Sequence, residues 1–246
     1  MVNEADQILA KVRAAYAECR SYRDDGVVTT TFFGPQKRTE RLPFSTRFVR
    51  PDGFLFEFRS RRWEDEWDQY AVWMEAGRPK TWWTVPSEGD DAKTLGHALA
   101  AATGVSAGSA WRVPSLLMPE LKRRDGAPTP PPAVADFVAS PEALLQNCVV
   151  VQRQYRFGAP PDQIWIDRSS FMIRKVVEPR RVLGPMPPEA IEHLKATHPE
   201  LAAEMVQRSI EWAARPPVEI GSVTTYEALF DAEIKPEELR YTPPSE

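Results

Sequence analysis

Residues 43–85 read PFSTRFVRPDGFLFEFRSRRWEDEWDQYAVWMEAGRPKTWWTV, and this segment decides the fold. It contains four stretches in which large apolar residues recur at every second position, separated by turn-forming or charged links. The alternating sets are Phe44, Thr46 and Phe48; Phe54, Phe56 and Phe58; Tyr70, Val72 and Met74; and Thr81, Trp83 and Val85. Alternation with period two between turns rich in Pro, Gly and Asp is typical of β-strands. Since the links are short, the segment predicts four consecutive antiparallel strands.

One face of these strands carries more aromatic residues than an ordinary sheet needs. Three phenylalanines on one strand face several tryptophans on others. Most large apolar side chains belong to a core, so the general interpretation is a sheet packed on helices. The more specific interpretation is a curved sheet whose concave face holds an apolar ligand.

The composition is that of a folded protein with a sizeable core. The chain has 246 residues, of which 42% are hydrophobic and 27% charged, enough for one large domain or two small ones. Its net charge of −4 argues against a general nucleic-acid binder. No run of about 18 apolar residues is present, so no segment is expected to span a membrane.

The two cysteines and the N-terminus bear on the cellular compartment. Cys19 and Cys148 do not form a disulfide framework, and two buried thiols are the favoured interpretation, with a single bridge as the alternative. Met1-Val2-Asn3 leads directly into a polar helix without a secretory signal. The residues alone leave a cytoplasmic protein and an exported mature form both open.

Beyond the four strands, patterns predict further helices and strands. Helices are expected at 4–20 (capped by Asn3), 91–103, 188–196 and 198–213, with short turns at 115–121 and after Ser140. Strands are expected at 26–33, 38–50, 148–155, 162–168, 171–178 and 219–229. No regular alternation of strand and helix appears, which disfavours a parallel sheet. The order instead predicts a single wide antiparallel sheet curled around its helices.

Four segments of the sequence then carry a resemblance to a known family. They are an opening helix with a β-branched strand, a strand pair around Arg-Pro-Asp, a hairpin with Ile-Trp-Ile-Asp, and a closing strand with a Pro-rich tail. The segments are ILAKVRAAYAECRSYRDDGVVTTTF (8–32), PFSTRFVRPDGFLFEF (43–58), QIWIDRSSFMIRKV (163–176) and TTYEALFDAEIKPEELRYTPP (224–244). In this order they resemble the LolA-type family, which includes periplasmic lipoprotein carriers and the lipoprotein-like half of the anti-sigma regulator RseB.

The resemblance implies a fold and a function. The fold would be mainly β, a single wide antiparallel sheet curled into a half-open barrel with helices plugging its concave face. One such domain would cover 1–246, with a helical insertion at about 185–216 that is larger than in the carriers. The apolar cavity would bind or carry a lipid or a lipidated protein in the periplasm, with the signal peptide absent from this sequence. The alternative is a protein-interaction or envelope-sensing module like RseB, with the cavity filled by its own helices.

The residues expected to line that cavity come from the aromatic strands and from a candidate lid, the small-residue stretch 104–110 beside Leu116, Leu117 and Met118. They are Phe54, Phe56, Phe58, Trp73, Trp82, Trp83, Leu116 and Met118. The alternative for the lid segment is an ordinary loop that ends in a core turn. The register is the critical assumption, because a shift of one residue moves a whole strand's side chains to the other face.

Catalysis is not expected, and no cofactor or metal site is predicted. The sequence contains no G-x-S-x-G, P-loop or H-E-x-x-H motif. His193 and His198 are five residues apart, which does not place them on one helical face. The acids from Glu64 to Asp68 are interpreted as a solvated hairpin link, and Glu57 and Asp167 as unpaired acids on or beside strands. A hydrolase is the weakest of the three hypotheses.

Overall fold

The structure is a computed structural model, and it describes residues 3–61, 67–84, 93–121, 134–154, 161–183, 188–197, 203, 206–207, 210–211 and 218–244. The acidic link from Glu64 to Glu66, the proposed helix start at Asp91 and the capping box at 197–200 include residues outside these ranges. Among the described helices, none has the length and hydropathy needed to cross a membrane.

The ten strands form one antiparallel sheet, as the sequence predicted. Their bounds in chain order are β1 Ser21–Phe33, β2 Arg38–Val49, β3 Gly53–Arg61, β4 Trp67–Glu75, β5 Arg78–Trp83, β6 Val134–Val138, β7 Cys148–Gln154, β8 Asp162–Asp167, β9 Ile173–Leu183 and β10 Val218–Phe230. Their order across the sheet is β5-β4-β3-β2-β1-β10-β9-β8-β7-β6. β5 and β6 stand at the two ends of this order, so they are the edge strands and the sheet is not closed.

The sheet curls around a group of helices on one face. The helices are α1 Glu4–Glu18, α2 Leu95–Val105, α3 Ser109–Arg112 and α4 Pro114–Leu117, while α5 Pro141–Leu145 and α6 Pro188–Thr197 lie later in the chain. All ten strands contribute at least one side chain to a single hydrophobic core shared with α1 to α4. We call the face that packs on α1 to α4 the concave face, and the opposite one the convex face.

Local sequence signals set the helix starts where capping chemistry predicts. The Asn3 side chain accepts a hydrogen bond of 2.7 Å from the Asp6 amide at the start of α1. Ser140 accepts from Ala143 at the start of α5, and Thr94 does the same for α2. Each side chain satisfies a backbone donor that the first helical turn leaves free.

Three elements differ from the sequence-based prediction. β1 begins at Ser21 instead of residue 26, since the polar run before Gly26 pairs with β2 and β10. β6 is not among the predicted strands, and it pairs with β7. α2 begins at Leu95 and ends at Val105, beyond the predicted end at residue 103. In each case strand pairing or packing outweighs a local loop signal.

Gly26 permits a close approach between β1 and β2 in the centre of the sheet. A Cβ atom on Gly26 would lie less than 3.0 Å from three atoms of the Phe44 ring. That ring cannot move aside easily, because it packs against Phe56 at 6.2 Å and edge-on against Tyr226 at 5.6 Å between ring centroids. Glycine is thus required here by space rather than by backbone conformation.

We predict that Gly26→Ala destabilises the protein, because the added methyl overlaps a ring held in the core. The free energy of unfolding should fall by about 2 kcal/mol, in the range of overpacking substitutions, as measured by urea denaturation. Gly34→Ala is the matched control, since its nearest contact would be 3.9 Å away, and it should change stability by less than about 0.5 kcal/mol. Equal effects of the two variants would contradict this account of Gly26.

Candidate functional site

The concave face is covered by three short helices, α2 to α4, which we call the plug (95–117). The plug contributes both small and large side chains to the core. Buried ones are Ala98, Leu99, Ala102, Ala110, Val113 and Leu117, and partly buried ones are Leu95, Trp111 and Leu116. Within the plug, α2 has 11 residues, whereas α3 and α4 have four each. The plug therefore covers a wide apolar face with elements that have few internal hydrogen bonds of their own.

The structure brings six of the eight predicted cavity residues together under or within the plug. Phe54, Phe56 and Phe58 point to the concave face and are at most 2% exposed. Trp83 and Leu116 pack against the same core from partly buried positions, and Met118 lies within it. These side chains are the wall that the sequence predicted, and in this structure the plug occupies the space in front of them. Their role in binding a ligand stays a prediction.

The sequence also predicted Trp73 and Trp82 as part of this wall, and for these two residues the predicted face is wrong. Both lie on the convex face with Leu55 and Ala71, where Tyr241 of the C-terminal tail packs on them at ring-centroid distances of 5.2 and 5.6 Å. The reason is the two-residue period of a strand, which forces neighbours such as Trp82 and Trp83 to opposite faces. Tyr70 pairs with Trp83, and Ala71 with Trp82, in the β4–β5 register.

Arg50 connects two of the helices that fill the concave side. It follows β2, and its guanidinium donates to the backbone oxygens of Cys19 at 2.8 Å, Tyr16 at 3.3 Å and Leu117 at 2.7 Å. These carbonyls lie at the C-terminal ends of α1 and α4, where helical oxygens lack internal partners. One side chain therefore ties α1, the plug and the sheet together.

A buried carboxylate lies beneath the plug, and sequence reasoning missed it. Asp24 on β1 is fully buried, and one carboxylate oxygen accepts a 2.7 Å hydrogen bond from the Tyr22 hydroxyl. Its other oxygen, Oδ1, faces Thr46 on β2 without a hydrogen bond of ordinary geometry among the described residues. Burial raises the pKa of Asp24 to about 7, against the hydrogen bonds and the Arg47 charge that lower it. The buried/exposed alternation of β1 was the available signal, hidden by the turn-like run Asp24-Asp25-Gly26.

A second polar group connects the plug to the far half of the sheet. Arg112 of α3 forms a 2.6 Å ion pair with Glu178 of β9, and Glu178 also accepts a 2.8 Å hydrogen bond from Ser222 of β10. The Tyr226 hydroxyl is buried next to the Arg112 guanidinium and interacts electrostatically with both Asp24 and Glu178. Asp24, Tyr226, Glu178 and Arg112 thus form a continuous polar strip across an otherwise apolar face.

Four atoms of this strip are buried without a hydrogen bond of ordinary geometry among the described residues. They are Asp24 Oδ1, Thr46 Oγ1, Tyr226 OH and Arg112 Nη1. Most buried polar atoms in proteins are hydrogen-bonded, and leaving one unsatisfied costs about 1–3 kcal/mol. The four atoms lie in two pairs, however: Thr46 is a hydrogen-bonding neighbour of Asp24, and Tyr226 is one of Arg112. Removal of Arg112 would therefore leave the Tyr226 hydroxyl without that partner.

Two surface pockets lie away from the concave face. The first has a volume of about 560 Å³ and is lined by residues of β6, α5 and β7, among them Phe137, Leu144 and Cys148. The second, of about 440 Å³, lies between Arg20, Arg50 and Asp231. Neither is lined by any of the eight predicted cavity residues.

The other groups considered from the sequence have structural roles. Asp167 accepts hydrogen bonds from Ser169 and Ser170 in the β8–β9 turn; although burial opposes it, these bonds lower its pKa to about 2. Glu57 accepts from Gln69 on β4. Cys19 and Cys148 are free and buried, as favoured from the sequence, and burial raises the pKa of both thiols. In the described ranges no three His, Cys, Asp or Glu side chains converge as a metal site; the His193 side chain and His198 lie outside them.

We predict that Asp24→Asn changes how stability depends on pH. Because the pKa of Asp24 is raised from 3.8 to about 7 in the folded state, the folded protein binds the proton more tightly than the unfolded chain does. The contribution of the Asp24 carboxyl group to the free energy of unfolding therefore falls as the pH rises from about 4 to about 7, and it does not change further above that range. The Asp24→Asn variant has no carboxyl group to ionise, so it should not lose this stability. At about pH 8 its free energy of unfolding should exceed that of the parent protein by up to about 4 kcal/mol.

The measurement is urea denaturation at about pH 4 and about pH 8. Asp25→Asn is the control, because it removes the same charge from a side chain that is 61% exposed on the convex face. It should follow the parent protein at both pH values. An Asp24→Asn variant with the parent's pH dependence would show that this carboxyl group does not titrate as described.

Comparisons with known proteins give matches among solved structures alone. No protein-family profile and no curated protein matches the chain at a significant level. Among solved structures, similar ones are a domain from Vibrio parahaemolyticus named for outer membrane lipoprotein sorting (10% identity, TM-score 0.37, covering 95% of this chain and 94% of that one) and a DUF1329 family protein from Desulfovibrio piger (8%, 0.36, 97% and 98%).

A LolA superfamily protein from Nitrosomonas europaea is also similar, at 12% identity and a TM-score of 0.35, with 96% of this chain and 97% of that one covered. These matches extend over nearly the whole length of both chains. At such identities and TM-scores they say nothing about what this chain binds. The fold itself is one unclosed antiparallel sheet with helices on one face.

Proposed function

We propose that this protein is a non-catalytic binding protein of the periplasm that holds a lipid or the acyl chains of a lipidated protein against its concave face. The whole chain would act as one domain, with the insertion at about 185–216 as an addition to it. In this proposal the structure is the closed, unliganded form. A ligand enters when the plug moves away from the sheet.

The observation that carries the proposal is the construction of the plug over the aromatic wall. Two of the plug's helices have only four residues each, and alanines form part of the plug's contribution to the core that contains Phe54, Phe56 and Phe58. The contacts of a plug with small side chains can be replaced by other apolar groups. An acyl chain gains about 0.8 kcal/mol for each buried CH₂, so a long chain can offset the loss of the plug's contacts.

A second candidate function is a protein-interaction or envelope-sensing module. The full burial of Phe56 and the packing of the plug favour it, since a filled concave face needs no ligand. The corner of β6 and α5 also exposes Phe137 at 43%, Leu144 at 62% and Leu145 at 90%. Exposed apolar groups beside an edge strand are typical of surfaces that accept a partner.

The test that separates the two functions is direct detection of ligand. Organic extracts of the natively purified protein would be examined by mass spectrometry, and an acyl-chain probe would be titrated while tryptophan fluorescence is recorded. A bound acyl species or saturable binding supports the carrier function. If neither is found, the interaction module becomes the leading hypothesis and protein partners are sought instead.

We predict that Trp83→Ala weakens binding of an acyl-chain probe by about tenfold, because the variant removes a large part of the aromatic wall. Trp82→Ala is a matched control: it is the adjacent residue, but its side chain packs on Tyr241 on the convex face. It should leave the affinity of the probe unchanged. If both variants weaken binding equally while remaining folded, the ligand does not contact the concave face.

We further predict that Arg50→Gln raises probe affinity, since it releases the plug from α1 and the sheet. Hydrogen bonds from a charged group contribute about 1.5–3 kcal/mol, so the free energy of unfolding should fall. The open form, which binds the probe, should become up to about tenfold more populated. The control is Arg47→Gln, which removes hydrogen bonds from the guanidinium to the oxygens of Asp24, Thr46 and Asp25 without touching the plug. The Arg47→Gln variant should bind the acyl-chain probe no more tightly than the parent protein does.

A further inference from the structure

The polar strip of the concave face has an excess of negative charge once the plug is removed. With the plug closed, it contains two acidic side chains, Glu178 and Asp24, and one cation, the Arg112 guanidinium. Because burial raises the pKa of Asp24 to about 7, Asp24 carries only part of a negative charge at neutral pH. Arg112 belongs to α3, so it must leave when the plug opens, while both carboxylates stay with the strands. Opening therefore exposes an acidic strip between apolar walls.

The groups that remain on the sheet are arranged to receive a hydrogen-bond donor. Glu178 offers the oxygen that now accepts from Arg112 at 2.6 Å. The Tyr226 residue beside it is 4% exposed, and its hydroxyl loses the Arg112 guanidinium as a partner when the plug opens. Carboxylates without a nearby cation are unfavourable in an apolar site, whereas a paired and hydrogen-bonded charge is accommodated.

One other cation lies near Glu178. Arg181, three residues further along β9, reaches Glu178 at 3.5 Å, and its side chain is 48% exposed. An exposed pair at that distance contributes little because water screens it. No described contact joins Arg181 to Asp24 or Tyr226. Near Asp24, the Arg47 guanidinium on β2 stays with the sheet and interacts with that carboxyl group through its charge, so the place left without a cation after opening is the one beside Glu178 and Tyr226.

We propose that the ligand is an amphiphile with a cationic nitrogen, and that its charged group takes the place of the Arg112 guanidinium beside Glu178 and Tyr226. This inference rests on the proposed function, since it requires the plug to open. In the closed form Glu178 pairs with Arg112. In the open form it pairs with the cationic nitrogen of the ligand instead. The hydrocarbon part lies along the aromatic wall, and the strip selects the head group.

The experiment compares three probes that share one alkyl chain: decylamine, decanol and decanoate. Each displaces a fluorescent acyl-chain probe below its micelle concentration at neutral pH. The energy needed to open the plug is common to all three, so the ratio of their dissociation constants reports the head-group site alone. Decylamine should bind about tenfold more tightly than decanol, as expected for one charge-assisted hydrogen bond, and decanoate should bind more weakly than decanol.

Variants locate that preference within the molecule. Glu178→Gln and Asp24→Asn keep the side-chain shapes and should each reduce the amine preference to about threefold or less. Tyr226→Phe, which removes only a hydroxyl, is a second variant of the same strip. Two matched controls should keep the full preference: Asp25→Asn, one residue from Asp24 on the convex face, and Tyr241→Phe, which removes a similarly buried and unpartnered hydroxyl on that face.

The possible results are distinct. If the probes bind but decylamine is no tighter than decanol, the head-group inference is overturned and the proposed function stands. A preference lost equally in Asp25→Asn would reflect the protein's overall charge and would also overturn it. If none of the three probes binds, the proposed function fails and this inference fails with it.

Discussion

The structure depends on one constraint: a ten-stranded sheet with an apolar face must bury that face within its own chain. Because the sheet is not closed, its strands cannot bury the face by themselves, and α1 to α4 supply the other half of the core. The curl of the sheet follows, since strands from both of its ends contact the same helices. Tyr16 of α1 illustrates the link, as its hydroxyl accepts a hydrogen bond of 3.0 Å from the Ile173 amide on β9.

The concave face divides into an aromatic part and a polar part, and the division follows the strand order. β3 and its neighbours carry the phenylalanines, whereas Asp24, Thr46, Tyr226 and Ser222 lie on β1, β2 and β10 in the middle of the sheet. A purely structural core would be more stable with apolar residues at those positions. The polar strip is therefore retained at a cost in stability, which is the pattern expected where a fold serves a function.

The fold class was predictable from the sequence because period-two alternation and short links specify antiparallel strands. The placement of Phe54, Phe56 and Phe58 on one face follows from the same rule, and so does the separation of Trp82 from Trp83, which the predicted site overlooked. Asp24 was not predicted, because a carboxylate before a second aspartate and a glycine resembles a turn. The role of Arg50 also had no local signal, since its acceptors are backbone oxygens 31 to 67 residues away in sequence.

The unclosed sheet has a further consequence at its edge. An edge strand presents free backbone groups that can pair with another molecule, which is a common start of aggregation. In β5 the first three residues are Arg78, Pro79 and Lys80; proline withholds a donor, and the two cations repel an identical strand from a second copy. The end of the sheet that carries the most aromatic residues is thus also an edge whose sequence disfavours intermolecular strand pairing.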